Sequence, residues 1–175
     1  MGKMVFVTGG ARSGKSSFAE GLLKDREDVA YIATAQIADE EMRRRVELHR
    51  KRRPKTWVTI ESPKAVDEAV VHAAETCSGI LIDCITLYVT NLLLDDSNTS
   101  NKPGYITREI ETLCRACRAA DADVVLISNE VGSGIVPDNA LSRTFRDMQG
   151  FANQAIAAEA DEAHLLVAGL PIRLK

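Results

Sequence analysis

Residues 4–16 read MVFVTGGARSGKS: a short apolar run, a glycine-rich turn, then a lysine and a serine that open a helical stretch. Gly9, Gly10, Ala11, Arg12, Ser13, Gly14, Lys15 and Ser16 fit G-x-x-x-x-G-K-[ST] at every position, with Ser17 just beyond. Glycines let the backbone curl so that several N–H groups point inward at phosphate oxygens. The helix that follows adds positive potential at its N-terminus. In such a turn Lys15 reaches the β- and γ-phosphates of a nucleotide, and the Ser16 hydroxyl ligates Mg²⁺. A strand must therefore enter this turn and a helix must leave it, which points to an α/β fold.

The rest of the chain keeps that alternation. Strands are expected at Val29 to Thr34, Trp57 to Glu61, Gly79 to Cys84, Asp123 to Ser128 and Ala163 to Val167, with one more near Ile172. Helices are expected from Lys15 to about Lys24, Glu40 to Arg53, 85–94, Tyr105 to Ala119 and Leu141 to Ala158, and Ser62-Pro63 reads as a helix start. Asp95 to Gly104 reads as a polar loop. Strands this uniformly apolar lie in a parallel sheet covered on both faces. The expectation is one domain over 1–175, a three-layer, RecA-like P-loop NTPase fold with a mostly parallel central sheet. Aromatic residues are only 5% of the chain, so the core is aliphatic.

A phosphate-binding turn works with an acid at the end of a nearby strand. Asp83 closes the apolar run Gly79 to Ile82. It reads either as a Mg²⁺ partner, direct or through water, or as a cap for the helix after it. Glu130, two residues beyond the strand that ends at Ser128, is a second candidate. Guanine-nucleotide switches carry D-x-x-G and then N-K-x-D. Here Asn101-Lys102-Pro103-Gly104 lacks the closing Asp, and Asp147-Met148-Gln149-Gly150 comes in the wrong order within a helical stretch.

The chain carries a net charge of −3, which gives no nucleic-acid signal overall. Asp83 interrupts the best stretch for crossing a bilayer, and residues 5–8 are too few for an export signal, so the expectation is a cytoplasmic protein without membrane insertion. Cys114 and Cys117 form a C-x-x-C, but no second pair or nearby His completes a zinc site. One segment departs from the overall acidity: Arg43 to Lys55 holds eight Lys or Arg against one Glu. Met42, Val46 and His49 recur there at helical spacing and share one face, which turns His49 inward among arginines. Two readings stay open at this point. His49 is a packed histidine on a solvated basic helix, or a neutral imidazole beside a bound triphosphate, able to attack phosphorus. No aromatic residues interleave the basic patch to stack bases. Arg143, Arg146, Gly150 and Asn153 likewise read either as a polar face for substrate or a neighbouring subunit, or as a solvated one.

Six segments taken together resemble one family: GGARSGKSSFAE at 9–20, YIATAQIADEEMRRRV at 31–46, HRKRRPKTWVTIE at 49–61, LIDCITLYVTNLL at 81–93, SNEVGSGIVPDNALSRTFRDMQGFANQ at 128–154 and the closing GLPIRLK. The resemblance is to the bifunctional adenosylcobinamide kinase and adenosylcobinamide-phosphate guanylyltransferase family of cobalamin biosynthesis. The combination of H-x-x-x-R-P-x-x-W with N-E-V-G-x-G-I-V-P carries it more specifically than the glycine-rich turn does. It implies two reactions. A nucleoside triphosphate, ATP or GTP, phosphorylates the aminopropanol hydroxyl of adenosylcobinamide. GTP then gives GMP to a histidine, which passes it to adenosylcobinamide phosphate to form adenosylcobinamide-GDP. By motif match the guanylylated histidine is His49. His72 and His164 have weaker claims. The nucleotide-binding set implied is Gly10 through Ser17, Ala33, Thr34, Ala35, Arg50, Lys51, Arg52, Arg53, Glu61 and Asp83, in a homotrimer. Some relatives have a second histidine where Leu48 stands, and some have Glu where Asp83 stands.

The residues alone also admit a monofunctional P-loop small-molecule kinase with no histidine intermediate, a non-catalytic nucleotide-binding regulator, and a basic-patch nucleic-acid binder.

Overall fold

A computed structural model describes residues 2–36, 53–97 and 101–175. Its elements in chain order are β1 (Met4–Gly9), α1 (Lys15–Leu22), β2 (Val29–Ala33), β3 (Val58–Glu61), α2 (Val66–Ala74), β4 (Gly79–Asp83), α3 (Ile85–Leu93), α4 (Lys102–Ala119), β5 (Asp123–Ile127), α5 (Ala140–Glu159), β6 (Glu162–Val167) and β7 (Leu170–Arg173). The seven strands form one sheet in the order β3-β2-β4-β5-β1-β6-β7. Every pairing is parallel except β6 with β7, which run antiparallel.

The continuous apolar runs follow from burial on both sides of the sheet. Met4, Phe6, Ala30, Ile32, Ile80, Ile82, Val124 and Leu126 point to one face and share a core with residues of α2, α3, α4 and α5. Their alternates Val5, Val7, Val29, Tyr31, Leu81, Val125 and Ile127 point to the other face, against Ala19 and Leu23 from the first helical segment and Trp57. Ile82 and Leu81 are neighbours on opposite faces, and both are fully buried. A strand with one wet face would alternate apolar with polar residues, and these do not. Sheet and helices thus form the three-layer, mostly parallel α/β architecture expected from the sequence. No helix of the described residues is long and apolar enough to cross a membrane.

Two boundaries differ from expectation. The Ser62-Pro63 pair does not open a helix: α2 begins at Val66, and the Ser62 hydroxyl donates to the Ala65 carbonyl at 2.8 Å instead of accepting from a helical N–H. The end of the 95–104 stretch is helical, because Asn101 caps α4 by accepting from the Gly104 N–H, with Pro103 in the first turn. Cys114 and Cys117 are free, buried thiols on α4. Burial pushes the Cys114 thiol up to about 11 and raises Cys117 further.

The strand register places the site. Reading across the sheet, Glu61 pairs with Ala33, Ala33 with Asp83, Asp83 with Ile127 and Ile127 with Val7. This row runs along the carboxyl ends of the parallel strands, where open α/β sheets bind ligands. The glycine-rich turn begins two residues beyond Val7.

Candidate nucleotide and metal site

The turn from Gly9 to Gly14 takes backbone conformations that its glycines make accessible. Gly9 has φ +150° and Gly14 φ +98°, and Arg12 sits in the left-handed region at φ 57°. A Cβ at Gly9 would stand 2.5 Å from the Leu166 carbonyl oxygen and 2.8 Å from the Ser13 Oγ. One at Gly14 would stand 3.2 Å from the Gly169 Cα. Two backbone bonds hold the turn from outside: the Glu130 N–H donates to the Gly9 carbonyl at 3.0 Å, and the Gly169 N–H to the Ser13 carbonyl at 2.9 Å. The Gly9→Ala variant is therefore expected to lose about 1–3 kcal/mol of stability, because the Leu166 backbone and the Ser13 side chain must both give and φ is strained for a residue with a Cβ. Chemical denaturation of the variant against wild type measures this.

Gly14 caps α1 without any side-chain hydrogen bond, so the first N–H groups of the helix face the turn. The Ser13 hydroxyl is buried and has no hydrogen-bond partner among the described residues. Lys15 is 7% exposed and its Nζ donates to the Gly10 carbonyl at 2.6 Å. Burial lowers the Lys15 pKa, and nearby Cys84 and Asp83 oppose the shift. A buried cation, a buried unpaired hydroxyl and uncapped helical N–H groups together make a cradle for an anion.

Asp83 lies beside this cradle. The Ser16 hydroxyl donates to Asp83 Oδ2 at 3.5 Å, and the Tyr31 hydroxyl donates to the same oxygen at 2.8 Å. The cap reading of Asp83 loses ground: α3 starts at Ile85 with Cys84 as its cap residue and no side-chain cap bond. A hydroxyl and a carboxylate side by side are hard oxygen donors. They suit Mg²⁺, which ordinarily takes one or two protein oxygens and draws the rest from phosphate and water.

The neighbouring strand ends are bound together. Thr34 is fully buried; its hydroxyl accepts from the Cys84 N–H and donates to the Cys84 carbonyl, both at 2.8 Å. Asn91 Nδ2 donates to the carbonyls of Thr34 and Pro63 at 2.8 and 2.9 Å. The Arg53 guanidinium lies 3.4 Å from the centroid of the Tyr31 ring, and its Nη1 donates to the Thr59 hydroxyl at 3.5 Å. Glu61 is exposed at the end of β3, and Ala33 and Ala35 flank Thr34 at the same edge. The structure therefore gathers Lys15, Ser16, Asp83 and Arg53 around the carboxyl end of the sheet. His49, Arg50, Lys51 and Arg52 lie outside the described residues. Of the other histidines, His72 is exposed beside Glu75 on α2. His164 packs edge-on against Phe18, with ring centroids 5.2 Å apart.

Two groups in the structure depart from the sequence expectations. Tyr31 reads as one more apolar strand residue, and nothing in its spacing announces a contact with Asp83. The second group is a buried network behind the loop after β5. Gln149 Nε2 donates to Ser128 Oγ and to Asn153 Oδ1, at 2.8 and 2.9 Å, and Ser128 Oγ donates to Asn153 Oδ1 at 2.6 Å. Asn153 Nδ2 donates to the Asn129 carbonyl at 3.1 Å, while the Asn129 N–H donates to the Thr86 hydroxyl at 2.8 Å. Asn153 thus faces the sheet and does not share an outer polar face with Arg143 and Arg146. Arg143 turns back to donate to the carbonyls of Pro137 and Asp138, and Arg146 pairs with Asp147. The sequence marks Asn153 only as one of four residues at helical spacing, with Arg143, Arg146 and Gly150, and does not mark Gln149 as its partner.

Comparison with known proteins decides which nucleotide-binding family this is. The family described as cobinamide kinase / cobinamide phosphate guanyltransferase matches residues 5–174. The chain belongs to this family. Its relatives include the bifunctional adenosylcobalamin biosynthesis protein CobU of Escherichia coli (strain K12), 44% identical over 98% of this chain and 99% of the relative. The protein of the same name from Salmonella typhimurium (strain LT2) is 46% identical over the same shares. The bifunctional adenosylcobalamin biosynthesis protein CobP of Pseudomonas aeruginosa (strain PAO1) is 44% identical over 97% of this chain and 95% of the relative. Among solved structures, the P4 protein of bacteriophage phi6 in complex with ADP is similar over 97% of this chain, with 16% identity and a TM-score of 0.48. This chain spans 52% of that one, and the strand order rather than this likeness carries the fold.

Proposed function

We propose that this chain phosphorylates adenosylcobinamide with a nucleoside triphosphate and then transfers GMP from GTP to the product, through a guanylyl-histidine at His49, to give adenosylcobinamide-GDP. The observation that carries the reading is the family match over residues 5–174, onto a chain whose Lys15, Ser16 and Asp83 converge at one edge of the sheet.

In the first reaction the aminopropanol hydroxyl oxygen attacks the γ-phosphorus, the bond to the β-phosphate oxygen breaks, and the hydroxyl proton leaves to solvent. Lys15 exchanges its contact with the Gly10 carbonyl for phosphate oxygens, where its charge stabilises the transferring group. The backbone of Gly9 through Ser17 orients the phosphates. Ser16 and Asp83 would hold Mg²⁺, which when bound neutralises charge on the β- and γ-phosphates. In the second reaction an imidazole nitrogen of His49 attacks the α-phosphorus of GTP and pyrophosphate departs. A phosphate oxygen of adenosylcobinamide phosphate then attacks the same phosphorus and frees the imidazole. Arg50, Lys51, Arg52 and Arg53 supply positive charge against the triphosphate, and Ala33, Thr34, Ala35 and Glu61 form the adjoining wall. Two displacements at one phosphorus make this half ping-pong.

All described strands join one sheet, which supports reading the chain as one domain. The exposed apolar residues Ile135, Val136 and Leu141 support the homotrimer that the family resemblance implies, and soluble nucleotide substrates suit a cytoplasmic setting. Sedimentation at three times the 19.1 kDa chain mass checks the trimer.

The test of the function uses GTP labelled at either end, with adenosylcobinamide. Label from the γ-phosphate is expected in the corrinoid phosphate. Label from the α-phosphate is expected first on the protein, acid-labile and alkali-stable, in the peptide containing His49, and then in adenosylcobinamide-GDP. Corrinoid phosphorylation without any protein-bound α-label leaves only the simple kinase.

A further inference from the structure

Tyr31 has no part in either reaction as written, yet it touches both halves of the site. Its hydroxyl donates to Asp83 Oδ2 at 2.8 Å, and its ring lies under the Arg53 guanidinium, 3.4 Å from the centroid. Asp83 Oδ2 also receives the Ser16 hydroxyl, but at 3.5 Å, the limit for a hydrogen bond. The tyrosine therefore makes the firm contact of the two. Both fall on Oδ2, so the other carboxylate oxygen takes no part in either. Arg53 in turn belongs to the basic segment, Arg43 to Lys55, that contains His49.

We infer that Tyr31 is a positioning residue that fixes the Asp83 carboxylate for the metal–nucleotide site with its hydroxyl, and carries Arg53 at the edge of that site on its ring. The inference rests on reading Ser16 and Asp83 as a Mg²⁺–nucleotide site.

The alternative is a core tyrosine. Tyr31 is 6% exposed and packs in the same cluster as Trp57 and Leu81. A ring that only fills space has no use for its hydroxyl, and phenylalanine replaces it at little cost. The geometry argues otherwise. Register puts Ala33, not Tyr31, beside Asp83, so the tyrosine spans two residues along β2 to reach the acid. The two contacts use different parts of the side chain. Phenylalanine removes the first and keeps the second; leucine removes both.

The experiment measures GTP affinity of the full chain with Mg²⁺ and again with EDTA, for wild type, Tyr31→Phe, Tyr31→Leu and Arg53→Ala, with melting curves for each without nucleotide. Loss of a hydrogen bond to a charged group is expected to cut the Mg²⁺-dependent gain in affinity about tenfold in Tyr31→Phe, while affinity in EDTA stays within about twofold. Tyr31→Leu is expected to lower the EDTA affinity as well, about three- to tenfold, through the displaced cation. Arg53→Ala should reproduce that second loss without touching the Mg²⁺ gain, and it stands in if the leucine variant does not fold. A wild-type Mg²⁺ gain in Tyr31→Phe overturns the inference, as does the absence of any such gain in wild type. Unchanged EDTA affinity in Arg53→Ala overturns the half concerning the ring. These readouts need neither corrinoid nor a covalent adduct. A wild type that forms no guanylyl-protein would therefore sink the transferase reading and leave the positioning role of Tyr31 standing.

Discussion

The His49→Ala variant is expected to take up no label from α-labelled GTP and to form adenosylcobinamide-GDP at least about 10⁴-fold more slowly, while phosphorylation of adenosylcobinamide stays within about threefold of wild type. The asymmetry is the informative part. Removing a nucleophile abolishes the covalent route outright, because no intermediate can form. In the proposed mechanism the kinase reaction moves a phosphoryl group directly between nucleotide and alcohol, with charge stabilisation from Lys15 and the backbone of the glycine-rich turn. Single-turnover assays of both steps on the same preparation check this. Label retained by the variant, on His164 for instance, would reassign the nucleophile. Equal loss of both reactions would mean that His49 serves nucleotide binding and not covalent chemistry.

For Lys15→Ala the expectation is a fall of at least about 10³-fold in kcat/KM for the phosphorylation step, with no loss of thermal stability. Lys15 is a charged side chain buried inside the turn, and in the proposed mechanism its ammonium offsets the charge that develops on the transferred group. Its stability effect runs the opposite way from its catalytic one. Burial lowers the pKa of Lys15 below its ordinary value, so folding disfavours the protonated form. Near neutral pH the residue therefore costs stability. The cost is relieved as pH rises through the lowered folded pKa toward the unfolded one. The alanine variant should melt at the same temperature as wild type or higher, and its stability should lack this upward slope at alkaline pH. Melting curves across that range, beside steady-state kinetics at neutral pH, measure both. A variant that melts lower would show that the lysine holds the turn together and would weaken any catalytic reading of the lost activity.

Most of the architecture was legible in the chain itself. The runs Val29 to Ala33, Gly79 to Ile82 and Val124 to Ile127 are apolar at every position but Tyr31, and only strands buried on both faces require that. The pattern at Gly9 to Ser16 is equally local, because a backbone that wraps phosphate needs particular residues at fixed spacing. Helix starts were less secure. Ser62-Pro63 has the composition of a start, but the Ser62 hydroxyl is taken by the Ala65 carbonyl and the helix forms later. Asn101 was absorbed into a polar loop, although its side chain caps α4. In both cases the deciding hydrogen bond depends on the path of the backbone, which composition does not specify.

The sequence by itself determined the phosphate turn, the parallel sheet and the family, because each is written in residue types at short separations along the chain. Only the tertiary structure decided that Asp83 stands beside Ser16, that Tyr31 joins Asp83 to Arg53, and that Gln149 and Asn153 lie buried against Ser128. The physical reason is strand order. Asp83 and Ser16 are 67 residues apart, and the strands that lead to them, β4 and β1, are separated by β5. Such contacts come from the packing of whole elements, and a hydroxyl on an otherwise apolar strand carries no local mark of the partner it will meet.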